Sequence, residues 1–162
     1  MDIKVHKNFL KKKEFKPLED SMFKYGNAFP WYLYPVNTPQ DKLLQLTHMY
    51  HDGEKITSPH FKHLLPVLEL LKPKKLLRIK ANLVMKATSI KEHGYHVDFL
   101  IPDSTTAILY INSNNGYTRF KEGRKIFSER NKIIKFNSEK YHTGSTCTDK
   151  EYRAVINFNY IL

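Results

Sequence analysis

His96-Val97-Asp98 sets an imidazole and a carboxylate two residues apart, and no other His-x-Asp or His-x-Glu occurs in the chain. On an extended strand residues two apart face the same side, so both groups can point at one ion. With 8 His and 16 acids in 162 residues, roughly 0.8 such pairs arise by chance. The weight therefore falls on what surrounds the pair. Far downstream stands His142-Thr143-Gly144, and eleven residues after His142 comes Arg153. A metal held by two His and one carboxylate on a single face keeps open positions opposite for a substrate. An arginine beside it offers a planar fork that grips a carboxylate through two parallel hydrogen bonds.

These residues need a scaffold that brings positions 96, 98, 142 and 153 together. From Leu76 onward, short runs of β-branched and aromatic residues alternate with turn chemistry. They predict strands near Leu76–Ala87, His96–Leu100, Thr106–Asn112, Gly116–Phe120, Lys132–Phe136 and Arg153–Tyr160. Asn112-Ser-Asn-Asn-Gly116 and Glu122-Gly123 read as turns. Several short strands without helical pattern between them predict an antiparallel barrel or jelly roll. The first half mixes elements. Pro17 to Gly26 reads as a short helix, Phe29 to Val36 as an aromatic extended segment, and Gln45 to Tyr50 as a strand. Ser58-Pro59 opens a helix with Phe61, Leu64, Leu65, Leu68 and Leu71 at helical spacing until Pro73 ends it. That helix is expected to pack on the sheet.

The order of the motifs resembles that of the 2-oxoglutarate and Fe(II)-dependent dioxygenases. The likeness is greatest to the prolyl 4-hydroxylase-like branch and its small phage-encoded members. It rests on His96-x-Asp98, a strand ending Tyr110-Ile111-Asn112, Gly116-Tyr117-Thr118-Arg119-Phe120, His142-Thr143-Gly144, and Arg153 in Arg-Ala-Val-Ile-Asn-Phe-Asn. It covers about residues 76 to 160, while Phe29-Pro30-Trp31-Tyr32 and Arg78-Ile-Lys-Ala-Asn82 are similar to the phage-encoded members alone. The resemblance implies a mainly β fold with supporting helices, the double-stranded β-helix (jelly roll, cupin-like). It implies one oxygenase domain over 1–162, with 1–75 as a helical and aromatic supporting region and 76–162 as the core that carries the iron site. It implies His96, Asp98 and His142 as Fe(II) ligands and Arg153 as the partner of the distal carboxylate of 2-oxoglutarate. Tyr110 sits where the hydroxylases place a tyrosine on that same carboxylate, and Thr118 falls in the motif whose usual form is Gly-Gly-x-Thr. The implied activity is hydroxylation of a substrate C–H bond, prolyl or other peptide hydroxylation among the options, coupled to decarboxylation of 2-oxoglutarate to succinate with O2. Arg153 replaces the lysine usual in collagen-type prolyl 4-hydroxylases, and Tyr117 takes the place of a second glycine. The substrate is therefore not carried over.

Composition narrows the rest. At 41% hydrophobic residues and a mean hydropathy of -0.54, the chain reads as a globular protein with a core of its own. Leu64 to Leu71, interrupted by Glu69, is far too short for a membrane span, and no apolar stretch follows the N-terminal lysines as a signal peptide requires. The lone Cys147 excludes an internal disulfide and fits a reducing cytoplasm, that of a bacterial host if the chain is phage-encoded. No Gly-rich phosphate loop occurs, which removes the common nucleotide-binding α/β folds.

A net charge of +11 calls for an anionic partner or a solvated lysine surface. The clusters run over Lys4–Lys16, Lys72–Lys91 and Arg119–Lys140. A protein or small-molecule substrate is favoured, with nucleic acid as the option the charge keeps open. The contrasting reading is a non-catalytic basic jelly-roll module that binds nucleic acid or another anion. His48/His51 and His60/His63 are read as lying on exposed faces, since no cysteine pair or HExxH accompanies them. Trp31, Tyr32 and Tyr34 are read as an aromatic strand that closes the core.

Overall fold

The computed structural model describes residues 2–24, 26, 28–36 and 43–162. The elements follow in chain order: β1 (Lys4–His6), α1 (Lys12–Phe23), β2 (Tyr32–Pro35), β3 (Leu44–His51), a 3-10 turn (Pro59–Leu64) running into α2 (Leu65–Leu71), and β4 (Lys75–Met85). Then come β5 (Ser104–Tyr110), β6 (Tyr117–Phe120), β7 (Lys125–Phe127), β8 (Lys132–Asn137), β9 (His142–Gly144) and β10 (Tyr152–Ile161). Seven strands form one antiparallel sheet in the order β1-β8-β5-β10-β4-β3-β2, and β7-β6-β9 form a second. The two sheets make the expected jelly roll.

Strict alternation along the central strands tells the two faces of the large sheet apart. Ala154, Ile156, Phe158 and Tyr160 of β10, with Ile79, Ala81 and Leu83 of β4, join Phe15, Leu18 and Met22 of α1 and Val67 and Leu71 of α2 in one buried cluster. Burying each large apolar side chain here contributes about 1.5–3 kcal/mol, which is what holds the helical layer to the sheet. The opposite face carries Ile108 and Tyr110 of β5, Val155 of β10, and Ile134 and Phe136 of β8. These pack with Phe120 and Ile126 of the small sheet in a second cluster between the sheets. Beyond that cluster the interior turns polar and opens into a cavity of about 890 Å³.

The helices begin where local chemistry permits. Glu14 accepts the Lys11 N–H at 3.1 Å, so α1 starts at Lys12 rather than at Pro17 as expected. Pro17 is tolerated inside it on an exposed face, and Tyr25, within the expected span, lies outside the described residues. Ser58 caps the second helical segment, accepting the His60 N–H at 3.1 Å, and Lys72 ends it in a left-handed conformation at φ 51°. No helix among the described residues is long and apolar enough to cross a membrane.

Three expectations are corrected. His96–Leu100 is not a continuous strand: segment 91–98 touches the small sheet through isolated bridges, Glu92 to Ser145 and His96 to His142, with Gly94 and Tyr95 exposed between them. His48 is buried at 3% exposure rather than on an outer face. Its Nδ1 meets Pro30 O at 2.8 Å and its Nε2 meets Ser58 Oγ at 2.7 Å, tying β3 to the start of the helical segment. The aromatic strand divides, since Trp31 packs against the core while Tyr32 and Tyr34 stay exposed.

Candidate metal centre

Asp98 reaches its place through the main chain, its N–H donating to Ser138 O at 3.1 Å, just as His96 and His142 exchange two backbone hydrogen bonds of 3.0 Å. This pairing sets the two imidazoles side by side, with ring centres 4.6 Å apart. Ligand atoms of His96, Asp98 and His142 all lie within 4.8 Å of one another, the one such group among the described residues. The alternation expected of a strand thus survives without the strand.

Each member is oriented by a neighbour. His142 Nδ1 lies 2.9 Å from Lys140 O and His96 Nδ1 lies 3.3 Å from Gly94 O. A carbonyl only accepts, so both Nδ1 atoms donate, which leaves the Nε2 atoms as the positions a metal would take. Asp98 Oδ2 accepts from Thr106 Oγ1 at 2.8 Å and from Asn159 Nδ2 at 2.9 Å. Thr106 is itself bonded to Ser138 Oγ, and Asn159 Oδ1 accepts from Arg78 Nε. Oδ1 faces His96 Nε2 at 3.7 Å and Arg78 Nη2 at 3.5 Å. Burial opposes the charge on Asp98, but His96, His142 and Arg78 outweigh it and hold the carboxyl well below its usual range. Burial, with the neighbouring His96, brings His142 below the ordinary histidine value against the pull of Asp98 and of the Lys140 carbonyl. Two imidazoles and a fixed carboxylate whose Oδ1 faces them suit a divalent transition metal by donor chemistry and by spacing.

The same cavity is lined by Arg153, 6% exposed. Its Nε donates to Ser128 Oγ at 2.8 Å and its Nη2 to Thr118 Oγ1 at 3.2 Å, while the guanidinium sits 5.6 Å above the Tyr110 ring. Among the described residues it forms no ion pair. A fully desolvated cation with only hydroxyl partners is costly unless an anion joins it, and burial accordingly pushes its pKa down. The local backbone is shaped around this side chain. A Cβ on Gly116 would stand 2.6 Å from Arg153 Cδ and 2.7 Å from Thr146 O, so no larger residue fits there without a shift. Thr118 lines the cavity with Arg153. Tyr110 is not among the lining residues: it is fully buried and its hydroxyl donates to Thr118 Oγ1 at 2.9 Å.

The six residues singled out from the sequence therefore gather around one cavity, five on its wall and Tyr110 against Thr118. The sequence reading missed the set that fixes Asp98, namely Thr106, Ser138, Asn159 and Arg78. It also missed Lys80, Asn82 and Asn157, which line the cavity. One signal marks most of them. In β4 and β10 polar residues alternate with large apolar ones, Arg78-Ile-Lys-Ala-Asn82 and Asn157-Phe-Asn159, on strands that lie between neighbours. A strand buried on its apolar face has reason to carry such a row only where the other face meets a polar interior. His93 also lines the cavity, outside the group of ligands.

No protein-family model matches the chain, and no curated protein is similar to it in sequence. Solved structures are similar in fold. A Pseudomonas putida prolyl-4-hydroxylase superposes with a TM-score of 0.66 at 12% identity, over 99% of this chain and 92% of that one. A Burkholderia pseudomallei oxidoreductase of the 2OG-Fe(II) oxygenase family gives 0.70 at 13% identity, over 98% and 84%. The chain has the jelly-roll fold of these oxygenases. HygX from Streptomyces hygroscopicus, solved with nickel and 2-oxoglutarate bound, gives 0.64 at 11% identity over 98% and 82%. The oxygenase jelly roll thus extends over nearly the whole chain, supporting helices included.

Proposed function

We propose that this chain is a non-haem Fe(II) and 2-oxoglutarate-dependent oxygenase, a single domain over 1–162, that hydroxylates a C–H bond of a peptide or small-molecule substrate. The observation that carries the reading is the pairing, in one cavity, of the His96, Asp98 and His142 group with a buried Arg153 that has no counter-charge among the described residues. Either half alone occurs in proteins of many kinds. Together they are what a metal and a dicarboxylate chelated to it demand. The fold shared with oxygenases of known structure supports the same reading.

Bound Fe(II) with 2-oxoglutarate and O2 supplies the oxidation that no side chain performs, with succinate and carbon dioxide as the products from the cosubstrate. The chain's own residues bind, orient and exclude. His96 and His142 present Nε2 because Gly94 and Lys140 hold their Nδ1 protons. Thr106 and Asn159 occupy Asp98 Oδ2 and leave Oδ1 for the metal. Arg153 takes the distal carboxylate, with the hydroxyls of Thr118 and Tyr110 beside it. Ser128 and Gly116 keep the guanidinium from swinging away. The apolar cluster of Ile108, Phe120, Phe136 and Val155 closes the inner end of the cavity to water.

Arg153→Ala is expected to weaken 2-oxoglutarate binding by about 2–4 kcal/mol, because a charge-assisted pair in a desolvated site is lost. Tyr110→Phe should cost less, because its hydroxyl donates to Thr118 and acts on the cosubstrate only through that residue. Titration of the Fe(II)-loaded protein under nitrogen measures both, with pyruvate, which lacks the distal carboxylate, as the comparison ligand. Equal affinity of the wild type for pyruvate and 2-oxoglutarate contradicts the assignment of Arg153.

A further inference from the structure

The cavity wall holds more positive charge than the proposed chemistry consumes. Arg78, Lys80 and Arg153 are its cations and Asp98 its carboxylate. An Fe(II) ion and a 2-oxoglutarate dianion bring equal and opposite charges, so their arrival leaves the surplus in place. Arg153 is then met by the distal carboxylate, and Arg78 is already bonded to Asn159 and set against Asp98. Lys80 remains. It is partly buried, it forms no ion pair or hydrogen bond among the described residues, and the acid whose charge it feels is Asp98, which is committed to the metal group. A lysine drawn out of water without a partner is unfavourable in the free protein.

Beside it stand two more unmet groups. Asn157 is paired directly with Lys80 across β10 and β4, and Asn82 follows Lys80 on the same face of β4. Both line the cavity, and each has a buried Oδ1 with no hydrogen-bond partner. Buried amide oxygens without donors are rare. On this wall they lie next to a free ammonium. A ligand that satisfies all three brings an acceptor of negative charge for Lys80 and N–H or O–H donors close by for the two amides.

We propose that Lys80, Asn82 and Asn157 form the recognition site for the primary substrate, an anion that carries N–H or O–H donors next to its charged group. This deepens the oxygenase reading and rests on it. The compact ammonium of Lys80 suits a single carboxylate or phosphate oxygen rather than a bidentate grip, unlike the fork that Arg153 offers to the cosubstrate. Asn157 and Asn159 alternate along β10, so the row that recognises the substrate adjoins the row that fixes Asp98. An anion on Lys80 therefore lies next to the metal group, as a molecule to be oxidised must.

The test uses the protein loaded with Zn(II), which is redox-inert, and 2-oxoglutarate, with two matched probes: N-acetylglycine, a carboxylate beside an N–H donor, and its neutral amide N-acetylglycinamide. Binding is read by perturbation of backbone amide NMR signals. The wild type is expected to bind the acid at least tenfold more tightly than the amide, with shifts in β4 and β10. Lys80→Met, similar in length and uncharged, should abolish that preference and leave the metal and 2-oxoglutarate affinities within twofold of wild type. Equal binding of the two probes by the wild type overturns the proposal, and so does a tenfold loss of 2-oxoglutarate affinity in Lys80→Met, which would give Lys80 to the cosubstrate. Zinc and 2-oxoglutarate uptake is measured first on the same samples. Its absence overturns the oxygenase reading itself, whereas the probe preference tests Lys80 alone.

Discussion

Asp98 is the residue on which the metal group turns, and its environment is built by residues remote in sequence. Thr106 and Asn159 hold Oδ2, from 8 and 61 positions away. Removing one of them should loosen the carboxylate without touching a ligand. Groups that orient metal ligands in this way typically cost 10–100-fold in affinity when mutated. Thr106→Val keeps the shape of the side chain and is expected to weaken Co(II) binding by about tenfold, measured by competition with a chromophoric chelator. Unchanged affinity in a folded Thr106→Val protein would show that the hydrogen bond does not tension the site. That His96, Asp98, His142 and Arg153 gather in one cavity was readable from their types and their order along the chain. The partners of Asp98 were not, because only the pairing of β5 and β10 at Thr106 and Asn159 brings them there.

The elements show the same division. The strands β4, β5 and β10 run for seven residues or more and were legible from the sequence within a few residues at each end. β1, β7 and β9 span three residues each, too short for any period to show. The buried His48 escaped because its polar type suggests exposure, while Pro30 and Ser58 satisfy both its ring nitrogens. This junction gives a pH dependence. Desolvation lowers the His48 pKa below the ordinary histidine value of about 6.5 despite the hydrogen bond to Pro30. A lowered value means that the folded state favours the neutral ring, so the contribution to stability is complete above 6.5 and is lost as pH falls below it. Urea unfolding at pH 7.5 and pH 5 should therefore show a smaller acid-induced loss in His48→Gln than in the wild type, measured without metal. An equal loss in both proteins would assign the pH dependence to other groups.

Across the whole molecule, a net charge of +11 sits on a fold whose interior also carries excess positive charge. The interior charge belongs to a single cavity, whereas the outer lysine clusters are in part paired, as Lys7 is with Glu129 and Lys140 with Glu122. Substrate recognition by a few interior groups predicts modest screening, and recognition of a polyanion predicts steep salt dependence. Between 50 and 200 mM salt, a protein with six to ten phosphate contacts loses about 10³–10⁵ in affinity. Turnover of 2-oxoglutarate by this protein is expected to change little over that range and to be unaffected by added DNA or RNA. Stimulation by a nucleic acid that collapses with salt would move the substrate from the cavity to the basic surface and leave the metal group as it is. One spectrum tests whether His96, Asp98, His142 and Arg153 hold iron and 2-oxoglutarate together. Adding 2-oxoglutarate to the Fe(II)-loaded protein without oxygen should produce the visible metal-to-ligand charge-transfer band of a chelate at one iron per chain. His142→Ala, with a circular dichroism spectrum like that of the wild type, should show none. A wild-type protein that is folded by the same criterion and gives neither iron binding nor the band would contradict the account.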